Sequence, residues 1–196
     1  MQKGLIVAVR EVIPEAYHRM CARHIYAAWS KRFRGDERKV AFWAVSKSTY
    51  MNQLTENTKQ LKLLGDGIFE AVAEYPLHTW CNAFFSKDAK CDLVDNNMCE
   101  TFNGWILDAR TKPIISMVDE IRQQIMKRNV SKRKSVDSWK GNISPKAMEK
   151  VGKNELQSHD WIIDWNGEEA YEVTLIFNFA KRHTVDLSKR ECSCRE

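Results

Sequence analysis

A single carboxylate framed by amides is the first group of interest. Asn96, Glu100 and Asn103 stand at i, i+4 and i+7 on a helical segment, opposite Phe102 and Ile106. Two amides flanking one carboxylate would hold it in a fixed rotamer as a ligand for a divalent ion. Three simpler readings stay open beside this one. The face is solvated, Asn97-x-x-Glu100 is a capping box serving the first-turn N–H groups, or the asparagines are turn residues after Asp95. Cys21-x-x-His24 and Cys192-x-Cys194 offer soft metal ligands. Two ligands do not complete a structural zinc site, which takes four. Buried thiols and a histidine at a helix start are the plainer account of the first pair.

Cationic chemistry is concentrated in one stretch. The net charge is +5, yet Lys127 to Lys153 holds nine Lys or Arg against two acidic residues, which leaves the remainder slightly acidic. Lys127, Arg128, Lys132, Arg133 and Lys134 could neutralise phosphates, or could simply solvate a helix end. The six cysteines, in a chain without a signal-peptide pattern at Met1–Arg10, are expected as reduced thiols. A hydrophobic content of 43% with 7 Trp is enough for a real core. No run of 18 apolar residues exists, so no membrane partner is expected, and a soluble intracellular protein is.

The elements that must carry these groups are mostly helical. Leu5, Ile6, Val9 and Ile13 share a helical face that Pro14 ends. A short strand is expected over Ala16–Ala22, followed by a helix burying Ile25, Ala28, Trp29 and Phe33. Asp36 is the expected N-cap of a helix burying Val40, Ala44 and Val45. Met51, Leu54, Thr58 and Leu61 continue the helical spacing to Gly65, and Ile68, Phe69, Val72 and Tyr75 form a short helix before Pro76. An irregular stretch anchored by Trp80, Phe84 and Phe85 precedes the glutamate helix, whose stripe is Met98, Phe102, Trp105, Ile106 and Ala109. A long helix begins near Pro113, with the stripe Ile114, Val118, Ile121, Ile125. From Trp161 the period changes to two. Trp161–Trp165, Asn166-Gly167 and the alternating Tyr171, Val173, Leu175, Phe177 predict a hairpin, with a further strand over His183–Leu187. The composition shift near 155–160 is the domain-boundary candidate.

Several strings carry a resemblance. Cys91-Asp92-Leu93-Val94-Asp95-Asn96-Asn97-Met98-Cys99-Glu100-Thr101-Phe102-Asn103-Gly104-Trp105-Ile106, continuing through Ala109-Arg110-Thr111-Lys112-Pro113-Ile114, resembles the motif around the last acidic residue of plant-type Mutator-like (MULE/MuDR) transposases. Gln2-Lys3-Gly4-Leu5 and His18-Arg19-Met20-Cys21-Ala22-Arg23-His24 resemble the segment after that family's second aspartate, and Phe42-Trp43-Ala44 its helical insertion. Val185-Asp186-Leu187 followed by Cys192-Ser193-Cys194 resembles the entry to a SWIM zinc finger.

The resemblance implies an α/β, mostly helical fold. Residues 1–155 would be the C-terminal part of a ribonuclease-H-like DDE domain with its helical insertion, and 156–196 a small β appendage. It implies that Glu100 is the third catalytic carboxylate, that Cys21 and His24 are a signature pair near the active site, and that Cys192 and Cys194 are half of a zinc site. In the family, two aspartates and the glutamate hold two Mg²⁺ or Mn²⁺ ions for phosphodiester cleavage and strand transfer. The place of the second aspartate falls at Met1, and Thr101 stands where the family usually has Ser. The expectation is a transposase fragment, nuclear, inactive alone and without cofactor of its own. It would bind DNA weakly and without sequence preference, self-association is possible, and the terminal Cys-Ser-Cys tail should be frayed. A domesticated DNA-binding or regulatory protein and a helical interaction module are the rivals.

Overall fold

The computed structural model describes residues 3–89 and 91–195, without the side chains of Lys3, Leu5 and Ile6. The chain is α/β, 55% helical, with one small four-stranded antiparallel sheet. It forms two compact units, Met1–Asn96 with Arg195–Glu196, and Asn97–Cys194. The boundary expected at 155/156 falls within the helix Pro145–Ser158, inside the second unit.

Among its described residues the first unit contains five helices, α1 (Lys3–Val12), α2 (Ala22–Trp29), α3 (Asp36–Lys47), α4 (Met51–Leu63) and α5 (Ile68–Ala73). Three single three-ten turns follow at Leu77–Thr79, Asn82–Phe84 and Lys87–Ala89. Its core is aromatic. The Phe42 ring stacks on Trp80 at 5.3 Å and 9°, and meets Tyr26, Trp29 and Trp43 at 5.2, 5.3 and 5.6 Å. Ile25, Val45, Leu61, Ile68 and Val72 complete the buried set. Burying each such side chain contributes roughly 1.5–3 kcal/mol. Polar tips within the core are satisfied by backbone: Trp29 Nε1 donates to Ile68 O at 3.0 Å, Trp80 Nε1 to Tyr75 O at 3.2 Å, and Ser46 Oγ to Trp80 O at 3.3 Å. Gly65 sits at φ +140°, where a Cβ would press within 3.2 Å of Ile68 Cδ1, so the α4–α5 turn requires glycine.

Several expectations change here. Ala16–Ala22 forms no strand; its backbone is tied singly, Met20 N to Thr79 O at 2.7 Å and Ala22 N to Val94 O at 2.8 Å. Asp36 is the first helical residue of α3, and Gly35 holds the cap position. Ala28 is exposed, and Val40 is 69% exposed while Phe42 is buried. On α3 the large flat ring wins the core position, so the buried face lies along Phe42, Val45 and Ser46. The α1 positions Leu5 and Ile6 lie outside the described side chains; Ile13 is exposed.

In the second unit α6 (Asn97–Trp105), a three-ten turn at Ala109–Thr111, α7 (Ile114–Val136) and α8 (Pro145–Ser158) precede the sheet. None of these three helices contains a buried residue. Met98, expected in the apolar stripe of α6, is 79% exposed, and Phe102 is exposed as well. On α7 the half-covered positions are Met117, Glu120, Ile121 and Gln124, one face away from the expected Ile114, Val118 and Ile125. Periodicity shows which residues share a face, but burial needs a partner surface for that face. The helix α8 was not anticipated, although Ser144-Pro145 announces it: Ser144 Oγ accepts from Ala147 N at 3.2 Å, and proline occupies the first helical position.

The sheet is a meander in the order β1-β2-β3-β4, with β1 (Trp161–Trp165), β2 (Ala170–Leu175), β3 (Asn178–Asp186) and β4 (Glu191–Cys192). Trp165 pairs with Tyr171 across the hairpin foreseen at Asn166-Gly167. The turn is longer than two residues, with Gly167 at φ +92° and Asn166 Oδ1 accepting from Glu168 N at 3.0 Å. Phe177 leaves the ladder and is exposed, because β2 and β3 turn at Ile176-Phe177.

Candidate functional site

Cys21 stands at the N-cap of α2 in extended conformation. Asn96 N donates to Cys21 Sγ at 3.3 Å, and Ala22 N donates to Val94 O at 2.8 Å. Arg23 Nη2 and Asp95 Oδ2 approach at 3.7 Å on the surface. One turn later, His24 brings a ring nitrogen to within 4.8 Å of the Cys21 sulfur. Residues distant in sequence thus fasten the Val94-Asp95-Asn96 segment to the start of α2. Arg19 adds a second fastening that spacing alone did not reveal. Its Nη1 donates to Cys91 O at 2.8 Å, and its guanidinium lies 3.9 Å from the centre of the Phe85 ring.

Glu100 belongs to the second unit, in the first turn of α6. The helix begins at Asn97, which makes Glu100 its fourth residue. The carboxylate is half-buried, with Oε1 shielded from solvent, while Met98 and Asn103 on the same helix are exposed. A favourable place for an acid near a helix N-terminus follows from the positive end of the helix dipole. Thr101 Oγ1 turns back to Asn97 O at 2.8 Å, so its hydroxyl serves the helix backbone.

Lys127, Arg128, Lys132, Arg133 and Lys134 occupy the last three turns of α7, all exposed. At about 100° per residue they surround the helix axis rather than forming one stripe. Arg128 lies 5.7 Å from the centre of the Trp105 ring, and Arg133 and Lys134 sit in the last turn, where cations complement the helix dipole. The collar can meet phosphates from more than one side, but no single face presents all five charges.

Cys192 lies on β4 opposite Val185, and Cys194 in the turn that follows. Their sulfurs are 2.7 Å apart. Between them Ser193 joins the neighbouring strand: Ser193 N donates to Thr184 O at 2.9 Å, and Ser193 Oγ accepts from Thr184 N at 3.0 Å. The turn before β4 is held by Asp186, which accepts from Ser188 Oγ at 2.6 Å and from Lys189 N and Nζ, both at 2.9 Å. These donors hold its carboxyl well below the usual carboxylate range. The pair fits zinc poorly. Two thiolates on a tetrahedral ion with bonds of about 2.3 Å stand roughly 3.8 Å apart. Among the described residues no third Cys, His, Asp or Glu joins Cys192 and Cys194 in a ligand cluster.

No helix among the described residues is long and apolar enough to cross a membrane. Compared with known proteins, the chain matches no protein-family model, no curated protein and no solved structure.

Proposed function

We propose that this chain carries the glutamate-bearing part of a Mutator-like DDE transposase domain, a nuclear protein whose family role is DNA transposition. Residues 1–155 are read as the C-terminal part of a ribonuclease-H-like domain with its helical insertion, and 156–196 as a β appendage. The observation that carries the reading is the ordered set of motifs, from Cys21-x-x-His24 through Asp95-Asn96-Asn97 and Glu100 to Pro113. The half-buried position of Glu100 in the first turn of α6 suits a metal-ligating carboxylate.

Glu100 would then ligate a divalent ion, which supplies Lewis-acid activation of water and of the leaving oxygen when bound. Two ions about 3.5–4 Å apart need several carboxylates, and the motif places one in this sequence. The 196 residues alone therefore do not cut DNA, and their inherited contribution is a weak phosphate contact through the α7 collar. Each phosphate neutralised steepens the fall of log K with log salt by about 0.9. Retention on duplex DNA, measured against salt, tests both parts together with Mg²⁺ or Mn²⁺ present. The expected result is sequence-independent retention with no strand cleavage above a Glu100→Ala control. A Lys132→Glu, Arg133→Glu, Lys134→Glu variant should be flatter in slope by up to roughly 2.7. Cleavage that disappears in Glu100→Ala, or equal retention of the charge-reversed chain, overturns the reading.

One observation favours a second reading, a helical interaction module. Ile114, Ile115, Val118, Asp119 and Arg122 line an open surface hollow of about 360 Å³ on α7, and Ile115 is 82% exposed. Contiguous exposed apolar surface of this kind is where proteins associate. A concentration-dependent dimer in light scattering would move the weight to this reading.

A further inference from the structure

We propose that Cys192 and Cys194 form a dithiol that closes reversibly to an intramolecular disulfide, a redox modification site at the end of the sheet. The inference replaces the zinc role that the resemblance implies for this pair, leaves the reading of Glu100 untouched, and rests on three observations in the second unit. First, the two sulfurs are 2.7 Å apart. That separation is much nearer the disulfide bond length of about 2.05 Å than the roughly 3.8 Å between thiolates on tetrahedral zinc. Second, the tripeptide is held by the fold. Cys192 is fixed in β4 opposite Val185, Ser193 exchanges two hydrogen bonds with Thr184, and the Asp186 turn closes the other end. Bringing two reacting groups together before reaction removes much of the entropic barrier. Third, both cysteines are half-buried, which leaves them open to a small disulfide. Cys194 N also donates to Cys192 Sγ at 3.4 Å, a further contact that holds the two residues together.

The step balances with a disulfide oxidant such as oxidised glutathione. The Cys192 thiolate attacks one sulfur of the oxidant, its S–S bond breaks, and one glutathione thiolate leaves. Cys194 releases its proton to water and attacks the Cys192 sulfur of the mixed disulfide, expelling the second glutathione. The protein loses two hydrogens, and the oxidant is reduced to two thiols.

The test uses the full chain. It is incubated with oxidised glutathione, quenched by alkylation and cut with trypsin, and the Glu191–Arg195 peptide is weighed. The wild-type peptide is expected two hydrogens lighter and free of glutathione, whereas Cys194→Ser accumulates the adduct on Cys192. Closure in the folded chain should be at least about tenfold faster than in the same chain in urea, because the turn and β4 hold the pair. Asp186→Ala, which loosens the turn, should slow closure towards the unfolded rate. A wild-type peptide that keeps its adduct overturns the proposal. So does one that stays reduced while the exposed Cys91 and Cys99 react, or one that closes equally fast folded and unfolded. Stoichiometric zinc that is lost in Cys192→Ser would also overturn it, since it would assign the thiolates to metal.

Discussion

Phe42→Ala probes the first unit at its centre. The ring has no exposed surface, is stacked on Trp80, and touches Tyr26, Trp29 and Trp43 within 5.6 Å of their centroids. Truncation removes a whole aromatic ring and leaves a cavity that four large neighbours cannot close without leaving their rotamers. Substitutions of this kind cost about 3–5 kcal/mol. A domain is stable by only about 5–15 kcal/mol, so a large share of the unit's stability goes with one residue. For a unit of this size each kcal/mol corresponds to about 4–8 °C in melting temperature. Urea unfolding followed by tryptophan fluorescence and near-ultraviolet circular dichroism reads the effect. Trp29, Trp43 and Trp80 all report on the same core. The midpoint should fall steeply with little change in slope, and the near-ultraviolet bands of the aromatic cluster should weaken. Ile115→Ala, on an exposed side chain of α7, provides the contrast and should change stability by less than about 0.5 kcal/mol. A Phe42→Ala cost below about 1 kcal/mol, or one equal to that of Ile115→Ala, would refute the central role given to the aromatic stack.

Three further outcomes follow from the ionisable groups. Burial pushes the Cys81 thiol up to about 12, so at pH 8 a thiol reagent should label exposed Cys91 and Cys99 in the native chain and reach Cys81 only after denaturation. The native state holds that proton when the unfolded state has lost it; stability should therefore fall as pH rises from 9.0 towards about 12, and Cys81→Ala should remove this part of the dependence. Asp186 behaves in the opposite sense. Its carboxyl is depressed by Ser188 and Lys189, so its stabilisation of the β3–β4 turn is complete above the usual carboxylate range and is lost as pH falls through the lowered folded value. Slow exchange of the Lys189 amide should persist at pH 4 in the wild type and be lost there in Asp186→Ala, with equal exchange counting against the turn's dependence on this acid.

Much of the framework was legible in the residues themselves. Pro14 ends α1, and the spacing of Leu54 with Leu61 and of Ile68 with Val72 places α4 and α5 in the core as expected. Trp80 and Phe85 anchor the irregular segment, and alternation around Asn166-Gly167 gives the hairpin with Trp165 opposite Tyr171. These features depend on local backbone preference or on an apolar set that finds its partners within the same unit. Tertiary packing decided the rest. Val40 and Phe42 are both apolar on α3, and only the space between Trp80, Tyr26 and Trp29 selects the aromatic ring. The stripes on α6 and α7 were correctly periodic, yet their burial depends on a surface that periodicity cannot supply. The candidate site divides the same way. Cys21 with His24 and Cys192 with Cys194 are visible as pairs in the sequence because their members are close neighbours along the chain. The hold of Asn96 on Cys21, and the 2.7 Å approach of two sulfurs in a turn braced by Thr184 and Asp186, come from contacts between distant residues, which exist only once the chain has folded.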